Sequence, residues 1–280
     1  MGIDIGASKV AFVVLKGKKV LKKEKIAVPA FKQDLISLIS KKIKEEKVSK
    51  AGIGVPSPLD KKASLVLNPP NLKYLKGCPL AKLIQKKTRI RTVMENDARC
   101  FSFAEAVLGA GRKYKTIFGL TLGSGIGGGL VIDRKIFKGS FGSAGEAGHA
   151  VFDYKGPECS CGSAGCFEEY CSQRFFFKRK TTPEKARKEA EKGSKKSLKM
   201  FKEYGKLLGA GLSSMVNLLD PEAIIIGGGI SSAYRFFIKD LEAELKRRMI
   251  STDSRKYVKI RKAALGEWAG SIGAALVAEN

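Results

Sequence analysis

The sequence predicts an α/β protein of two lobes. Three observations carry this: short apolar runs with strand character alternate with amphipathic helical stretches, a glycine-marked hairpin followed by helices and strands occurs twice, and strands begin afresh after Gly109 to Lys113. With 280 residues the chain can bury a substantial core as one large domain or two packed lobes.

The elements follow in order. From Gly2, GIDIGASKVAFVVL, a GKK turn and VLKKEKIAV make a meander of two or three antiparallel strands. FKQDLISLISKKIKEEK sets Phe31, Leu35, Leu38, Ile39 and Ile43 at helical spacing, so it reads as an amphipathic helix. A buried strand, AGIGVPSPLD, follows, with its turn at Pro56, Ser57 and Pro58. IRTVMEND is a strand that leads into the helix ARCFSFAEAVLGAG, which ends on glycine. The second half opens with the strands of TIFGLTLGSGIGGGLVID. The lysine-rich KRKTTPEKARKEAEKGSKK reads as exposed helix and loop, and LKMFKEYGKLLGAGLSSMVNLLD as a long helix whose apolar face serves either core or interface. The strand EAIIIGGG, the helix YRFFIKDLEAELKRRM, a strand around VKIRKAAL and the helix AGSIGAALVAE complete the chain.

Hydrophobic residues make up 44%, but no apolar run approaches the roughly 20 residues of a membrane span, so no transmembrane helix is expected. MGIDIGASKV lacks a basic stretch before its apolar residues, which argues against a secretory signal and for the cytoplasm. There the six cysteines stay reduced, and a cluster of them reads as a metal site rather than as disulfides. The net charge of +26 invites a nucleic-acid reading, yet lysines are spread through every region with no aromatic interleaving. It is read as a solvated coat whose field attracts anionic ligands such as nucleotides, and no specific nucleic acid is expected as a partner.

Three glycine elements suggest phosphate binding. IDIGASK sets Asp4 beside a turn containing Gly6, Ser8 and Lys9; TLGSGIGGG offers Thr121, Gly123, Ser124 and Gly125 between strands; IIIGGGIS runs a strand into Gly227, Gly228 and Gly229 at a helix start. Where side chains are absent, backbone N–H groups approach phosphate oxygens closely. Each element alone is equally a hairpin or turn, and the flanking strands exclude the strand–turn–helix of a dinucleotide fold.

His149, the only histidine, stands ten residues before a C-x-C-x4-C run of Cys159, Cys161 and Cys166. One imidazole and three thiols suit a closed, structural tetrahedral zinc; the plain alternative is a buried histidine beside unrelated thiols. Cys78, Cys100 and Cys171 are read as small packed residues. Glu146 and Glu168 flank the ligands, so the metal would pin both carboxylates on the loop it folds, and carboxylates accept strong hydrogen bonds from a polyol. Glu169 is read as a solvated charge. Asn96 and Asp97 precede a helix and by themselves suit its N-cap.

Taken together, the order of these motifs resembles the sugar-kinase, Hsp70 and actin superfamily, and END at 95–97, GEAGH at 145–149 and CSCGSAGCFEE at 159–169 resemble the ROK family of bacterial sugar kinases and sugar-responsive repressors. The resemblance runs from Gly2 to Ala278. It implies a two-lobed actin-like ATPase (ribonuclease H-like) fold with a cleft between lobes: a small lobe over 1–110 plus a C-terminal helix at about 267–280, and a large lobe over 111–266 carrying the zinc loop. It implies Asp97 as catalytic base and Asn71, Asn96, Glu146, His149 and Glu168 as sugar contacts, His149 also serving the zinc. The cofactor-binding residues are Asp4, Gly6, Ser8, Lys9, Thr121, Gly123, Ser124, Gly125, Gly227, Gly228 and Gly229, and the metal ligands are His149, Cys159, Cys161 and Cys166.

ATP, Mg2+ arriving on its phosphates near Asp4, structural Zn2+ and a homodimer complete the expectation, with glucose 6-phosphate as product. N-acetylglucosamine, N-acetylmannosamine and a polyphosphate donor are the alternatives. Ala7 and Ser8 stand where the family has glycine and threonine, Ser57 and Pro58 follow Pro56 where it has glycine, and Leu75 stands near its usual aromatic; these departures bear on which sugar is taken. Family repressors carry a helix-turn-helix ahead of the core, and this sequence opens on the first phosphate hairpin, which favours an enzyme over a non-catalytic sugar sensor.

Overall fold

The computed structural model describes all 280 residues. Strands β1 (Gly2–Ile5), β2 (Lys9–Lys16) and β3 (Lys19–Ala27) form the expected meander, β1 with β2 and β2 with β3 antiparallel. Helix α1 (Lys32–Glu45) buries Leu35, Ile39 and Ile43 of the five residues its periodicity selects, with Leu38 partly buried and Phe31 exposed at the residue before the helix, and leads to β4 (Lys50–Val55). Helix α2 (Leu80–Thr88), strand β5 (Arg91–Asn96) and helix α3 (Asp97–Val107) follow. Then come β6 (Thr116–Leu122), β7 (Ile126–Ile132), β8 (Lys135–Phe137), the short helices α4 (Phe167–Cys171) and α5 (Gln173–Phe177), and α6 (Pro183–Glu191). The long α7 (Lys195–Leu219), β9 (Ala223–Gly227), α8 (Tyr234–Arg248), α9 (Thr252–Tyr257), β10 (Lys259–Lys262) and α10 (Ala269–Glu279) complete the chain.

Two five-stranded mixed sheets result. The first has the order β3-β2-β1-β4-β5, with β4 parallel to both β1 and β5. The second, taken from its β8 edge, runs β8-β7-β6-β9-β10, with β9 parallel to both β6 and β10. One topology is therefore used twice, which is the duplicated plan that the glycine hairpins announce in the sequence.

The chain divides into two compact units: Met1–Lys113 with Gly129–Gly145 and Ala264–Asn280, and Tyr114–Gly128 with Glu146–Ala263. The sequence reading keeps 129–145 with the second lobe; the contacts give this hairpin to the first. Three of them account for it. Lys138 Nζ pairs with Glu95 Oε2 at 2.7 Å, an Arg99 guanidinium N–H donates to the Gly142 carbonyl at 2.7 Å, and the backbone at Gly129 lies against Ser102.

In the first unit α10 lies directly on the backbones of β1 and β4. A Cβ at Gly52 of β4 would run into the Ala274 carbonyl, so this packing needs glycine there. Ile3, Ile5, Val10, Leu35, Ile39 and Ile53 are buried in the core of this unit. Glu105 of α3 is completely buried, and its carboxylate accepts the backbone N–H groups of Ala110 at 2.8 Å, Ala264 at 3.0 Å and Leu265 at 2.8 Å. A buried carboxylate is tolerable because N–H donors surround it. It fastens the segments where the chain leaves this unit and where it returns.

In the second unit α7 packs along α8 and buries Met200, Phe201, Tyr204, Leu208, Leu212 and Val216. The apolar face of the long helix thus serves the core. Tyr204, fully enclosed among Phe175, Phe176 and Phe237, donates its hydroxyl proton to the Cys171 carbonyl at 2.8 Å. No helix of the chain is long and apolar enough to cross a membrane.

Candidate active site

In the first unit the strand register gathers the acidic residues. Asp4 on β1 lies opposite Gly54 on β4, and Gly54 lies opposite Glu95 on β5, with Asp97 beginning α3 one residue beyond that strand. An added Cβ at Gly54 would sit 3.3 Å from Asp4 Oδ1 and 3.6 Å from the Asp97 Cα. Cys100 lies beneath them; burial pushes its thiol well above the usual range, and the charges of Glu95, Asp4 and Asp97 push it further. Asp4 keeps little contact with solvent, and its carboxylate rests against Gly270 in the first turn of α10. Burial raises its pKa to about 6, with Lys25 drawing it the other way.

Asn96 takes the capping role: its side-chain oxygen accepts the Arg99 N–H at 3.0 Å, while its amide reaches the Ser57 carbonyl at 3.4 Å. Asp97 Oδ1 accepts the Ala98 N–H at 2.8 Å, and its side chain is only partly buried. Gly6 N–H donates to the Lys9 carbonyl at 2.9 Å, which closes a turn whose Ser8 and Lys9 are exposed. Asn71 is exposed in the loop just before the buried Leu72.

Sequence reasoning missed the support beneath Asn96 and Asp97. Glu95, 1% exposed, binds Arg99 Nε at 2.9 Å and Lys138 at 2.7 Å and accepts the Asn96 N–H at 2.9 Å. An ion pair this deep is costly to form, and removing one partner alone strands the other charge. The signal available in the sequence is the spacing of Glu95 four residues before Arg99.

In the second unit the glycine elements meet at neighbouring strand ends. Thr121 on β6 pairs in parallel register with Gly227 on β9, so the Gly123–Gly125 turn and the Gly227–Gly229 turn emerge side by side at the carboxyl ends of their strands. Ligands of open α/β sheets commonly bind at such strand ends. Gly123 N–H donates to the Gly125 carbonyl at 3.0 Å, and the Gly123 carbonyl accepts the Gln173 N–H at 2.9 Å. Thr121 Oγ1 lies 3.4 Å from the Gly127 carbonyl, and Ser124 sits at the tip.

Glu168 joins this hairpin to the cysteine loop. One oxygen accepts the Ile126 N–H at 3.3 Å; the other lies 3.5 Å from Cys159 Sγ and 3.1 Å from the Arg174 guanidinium. A Cβ at Gly125 would approach Glu168 Oε2 to 2.6 Å, so only glycine lets the turn lie this close. Glu146 stands at the head of the short helical turn Ala147–His149, where its carbonyl accepts the His149 N–H at 3.1 Å, and Gly148 presses on the Ile126 carbonyl. Glu169 is buried and paired with Arg174, which corrects its reading as a solvated charge. Its partner lies only five residues on, so the pairing was within reach of the sequence.

The candidate metal ligands His149, Cys159, Cys161 and Cys166 have all their donor atoms within 4.8 Å of one another. Cys159 Sγ lies 3.8 Å from His149 Nδ1, and Cys161 Sγ lies 3.6 Å from Cys166 Sγ. Tetrahedral zinc with Zn–S near ~2.3 Å and Zn–N near ~2.0 Å separates its ligands by about 3.5–3.8 Å, so the donor set fits. Burial pushes the Cys166 thiol up to about 12 and raises that of Cys159, whereas a hydrogen bond from the Ser163 backbone draws that of Cys161 down. Cys78, Cys100 and Cys171 are buried, as expected.

Comparison with known proteins agrees with this arrangement. The chain is 29% identical to a glucokinase of Streptomyces coelicolor over 100% of its own length and 97% of the relative's. It is 29% identical to a xylose repressor of Caldicellulosiruptor bescii over 76% of its length and 60% of the relative's. A crystal structure of a ROK family glucokinase from Streptomyces griseus in complex with glucose and AMPPNP superposes with a TM-score of 0.86 at 31% identity, covering 99% of this chain and 98% of that one. The ROK family model matches residues 1–280, and the chain belongs to the ROK family.

Proposed function

We propose that this protein is an ATP-dependent hexose kinase, an ATP:hexose phosphotransferase, with glucose as the sugar and its 6-hydroxyl as acceptor. The full-length likeness to glucokinases supports the activity. The observation in the molecule that carries the reading is the double attachment of Glu168, a polyol-binding carboxylate fastened to the same turn that offers N–H groups to phosphate.

A hydroxyl is a weak nucleophile at neutral pH, and Asp97 is the base that takes its proton as the γ-phosphoryl group is transferred. Asn96, held through its contact to the Ser57 loop, and Asn71 orient the sugar, and Glu146, His149 and Glu168 accept or donate hydrogen bonds to its hydroxyls. Arg174 fixes the direction of the Glu168 carboxylate. The Gly6–Lys9 turn, the Gly123–Gly125 turn and the Gly227–Gly229 turn are the nucleotide-binding elements of this reading, with Asp4 the carboxylate for its Mg2+. His149, Cys159, Cys161 and Cys166 would hold zinc, which supplies rigidity to the loop between Glu146 and Glu168.

A homodimer belongs to the same reading. Leu218 and Ile250 are exposed on segments joined by the Ile250 N–H donating to Asn217 Oδ1 at 3.1 Å, and they are the apolar residues offered for it. The kinship with a xylose repressor supports a second reading, a sugar-responsive regulator without turnover. A coupled ADP-release assay over glucose, N-acetylglucosamine, N-acetylmannosamine and xylose separates them. Turnover with a hexose is expected, and sugar binding without ADP release from any of the four would sink the kinase assignment.

A further inference from the structure

The first unit contains a groove of about 1060 Å³ that belongs to none of the residues assigned above to sugar or nucleotide. It runs beside β5, the outermost strand of the first sheet, and is walled by α2, the 62–65 loop, the β7–β8 turn and the end of α10. Its volume is that of an organic-ligand site. Leu65, Met94, Phe103 and Val277 give it an apolar lining.

Its charge is one-sided. Lys138 and Glu95 line it but are paired with each other. Of the remaining lining residues, Lys62, Lys82, Arg134 and Lys135 are cations without an ion pair, set against Asp133. The backbone at the tip adds a second indication. Ile132 pairs with Lys135, so Asp133 and Arg134 are the two residues of the turn, at φ 47° and 59°. That left-handed geometry is the one in which asparagine and glycine cost least, and an arginine there presents its charge to the groove against a local preference.

An added β-strand is a poor occupant, because two donors of β5 are already satisfied by side chains. Gln85 Oε1 accepts the Thr92 N–H at 3.0 Å and Glu95 Oε1 the Asn96 N–H at 2.9 Å. A compact molecule with an apolar body and a polyanionic head matches both the lining and the rim, since one phosphate accepts from several cations at once.

We propose that this groove is a second ligand site, selective for an organic monophosphate whose apolar body lies on Met94, Phe103 and Val277 and whose phosphate is held by Arg134, Lys135 and Lys82. The site is independent of the kinase assignment, because binding is its readout.

The test is a fluorescence titration of the full chain with 1-naphthyl phosphate, with 1-naphthol and inorganic phosphate as separate arms. One saturable site is expected, with each half-molecule bound at least about tenfold more weakly. Arg134→Gly, which also relieves the turn, and Lys82→Gln are each expected to weaken it about tenfold, the scale of one lost charge-assisted contact. Val277→Trp, which fills the floor without altering charge, is expected to abolish it, while none of the three variants lowers the thermal midpoint. The proposal is overturned if 1-naphthyl phosphate does not bind, if 1-naphthol binds as well, if the Arg134→Gly/Lys82→Gln double variant binds unchanged, or if an acidic peptide binds where the aryl phosphate does not.

Discussion

The Asn96 side-chain oxygen accepts the Arg99 backbone N–H at 3.0 Å, so the first turn of α3 is capped by the residue before Asp97 rather than by Asp97 itself. The two adjacent residues, which compete for the cap in the sequence, are thereby given separate work.

This separation makes the proposed role of Asp97 as general base testable without loss of the fold. Asp97→Asn is expected to lower kcat by about 10²-fold or more with little change in sugar KM. Its thermal midpoint should stay close to that of the parent, because the cap is intact. Asn96→Ala should instead cost about 1 kcal/mol of stability. Steady-state kinetics beside thermal unfolding checks both, and near-normal turnover by Asp97→Asn would remove it from the mechanism.

Asp4 is held at a cost to stability. Its folded pKa, about 6, exceeds the ordinary 3.8, so between these values the folded chain binds the proton more firmly than the unfolded one. The stabilisation from the protonated carboxyl is present in full below pH ~4 and is lost as pH rises through about 6. Asp4→Asn is therefore expected to gain up to about 3 kcal/mol in urea unfolding at pH 7 relative to the parent, less where solvent reaches the carboxylate, and to gain little at pH 4. Turnover should fall, because the carboxylate proposed to serve the nucleotide's Mg2+ is then lost from β1. An equal gain at both pH values would show that the charge is not the cause.

Gly125→Ala tests the joint between turn and carboxylate. The added methyl would meet Glu168 Oε2 at 2.6 Å, forcing the carboxylate off the Ile126 N–H. A rise in sugar KM of about tenfold is expected, the scale of one charge-assisted hydrogen bond. An unchanged sugar KM in initial-rate measurements would mean that Glu168 does not hold the sugar.

One zinc per chain is expected from elemental analysis of protein purified without chelator. Cys166→Ser should lose it, lower the thermal midpoint and raise sugar KM, because the loop between Glu146 and Glu168 then loses the tie that joins His149 to the cysteines. Metal-free protein with unimpaired sugar affinity would contradict the structural role.

The periodic elements were legible because their signal is local: α1, α3, α7, α8 and the β1–β3 meander are found where spacing places them. Helix α2 escaped because its nine residues, which bury Leu80, Ala81 and Ile84, give the periodicity only about two and a half turns, and α4 and α5 were masked by the cysteine loop they follow. The metal set and the glycine turns were legible because the chemistry needs rare residues at short intervals. Buried carboxylates were not. Glu169 reads as a surface charge until the fold supplies Arg174, and the burial of Glu95 and Glu105 rests on Lys138 and the Ala264 amide, both remote in sequence. The allegiance of Gly129–Gly145 was hidden for the same reason.

The placement of α10 against β1 and β4 has a consequence for biosynthesis. A ribosome delivers the first sheet early, yet the helix that covers it emerges only after Ala263, so the β1–β5 segment must wait with an unshielded apolar face while Glu146–Ala263 already has all its sequence available. Nascent chains halted near residue 263 should therefore recruit holdase chaperones through their earliest-made segment, and a bulky tag fused close behind Asn280 should depress yield more than one placed ahead of Met1.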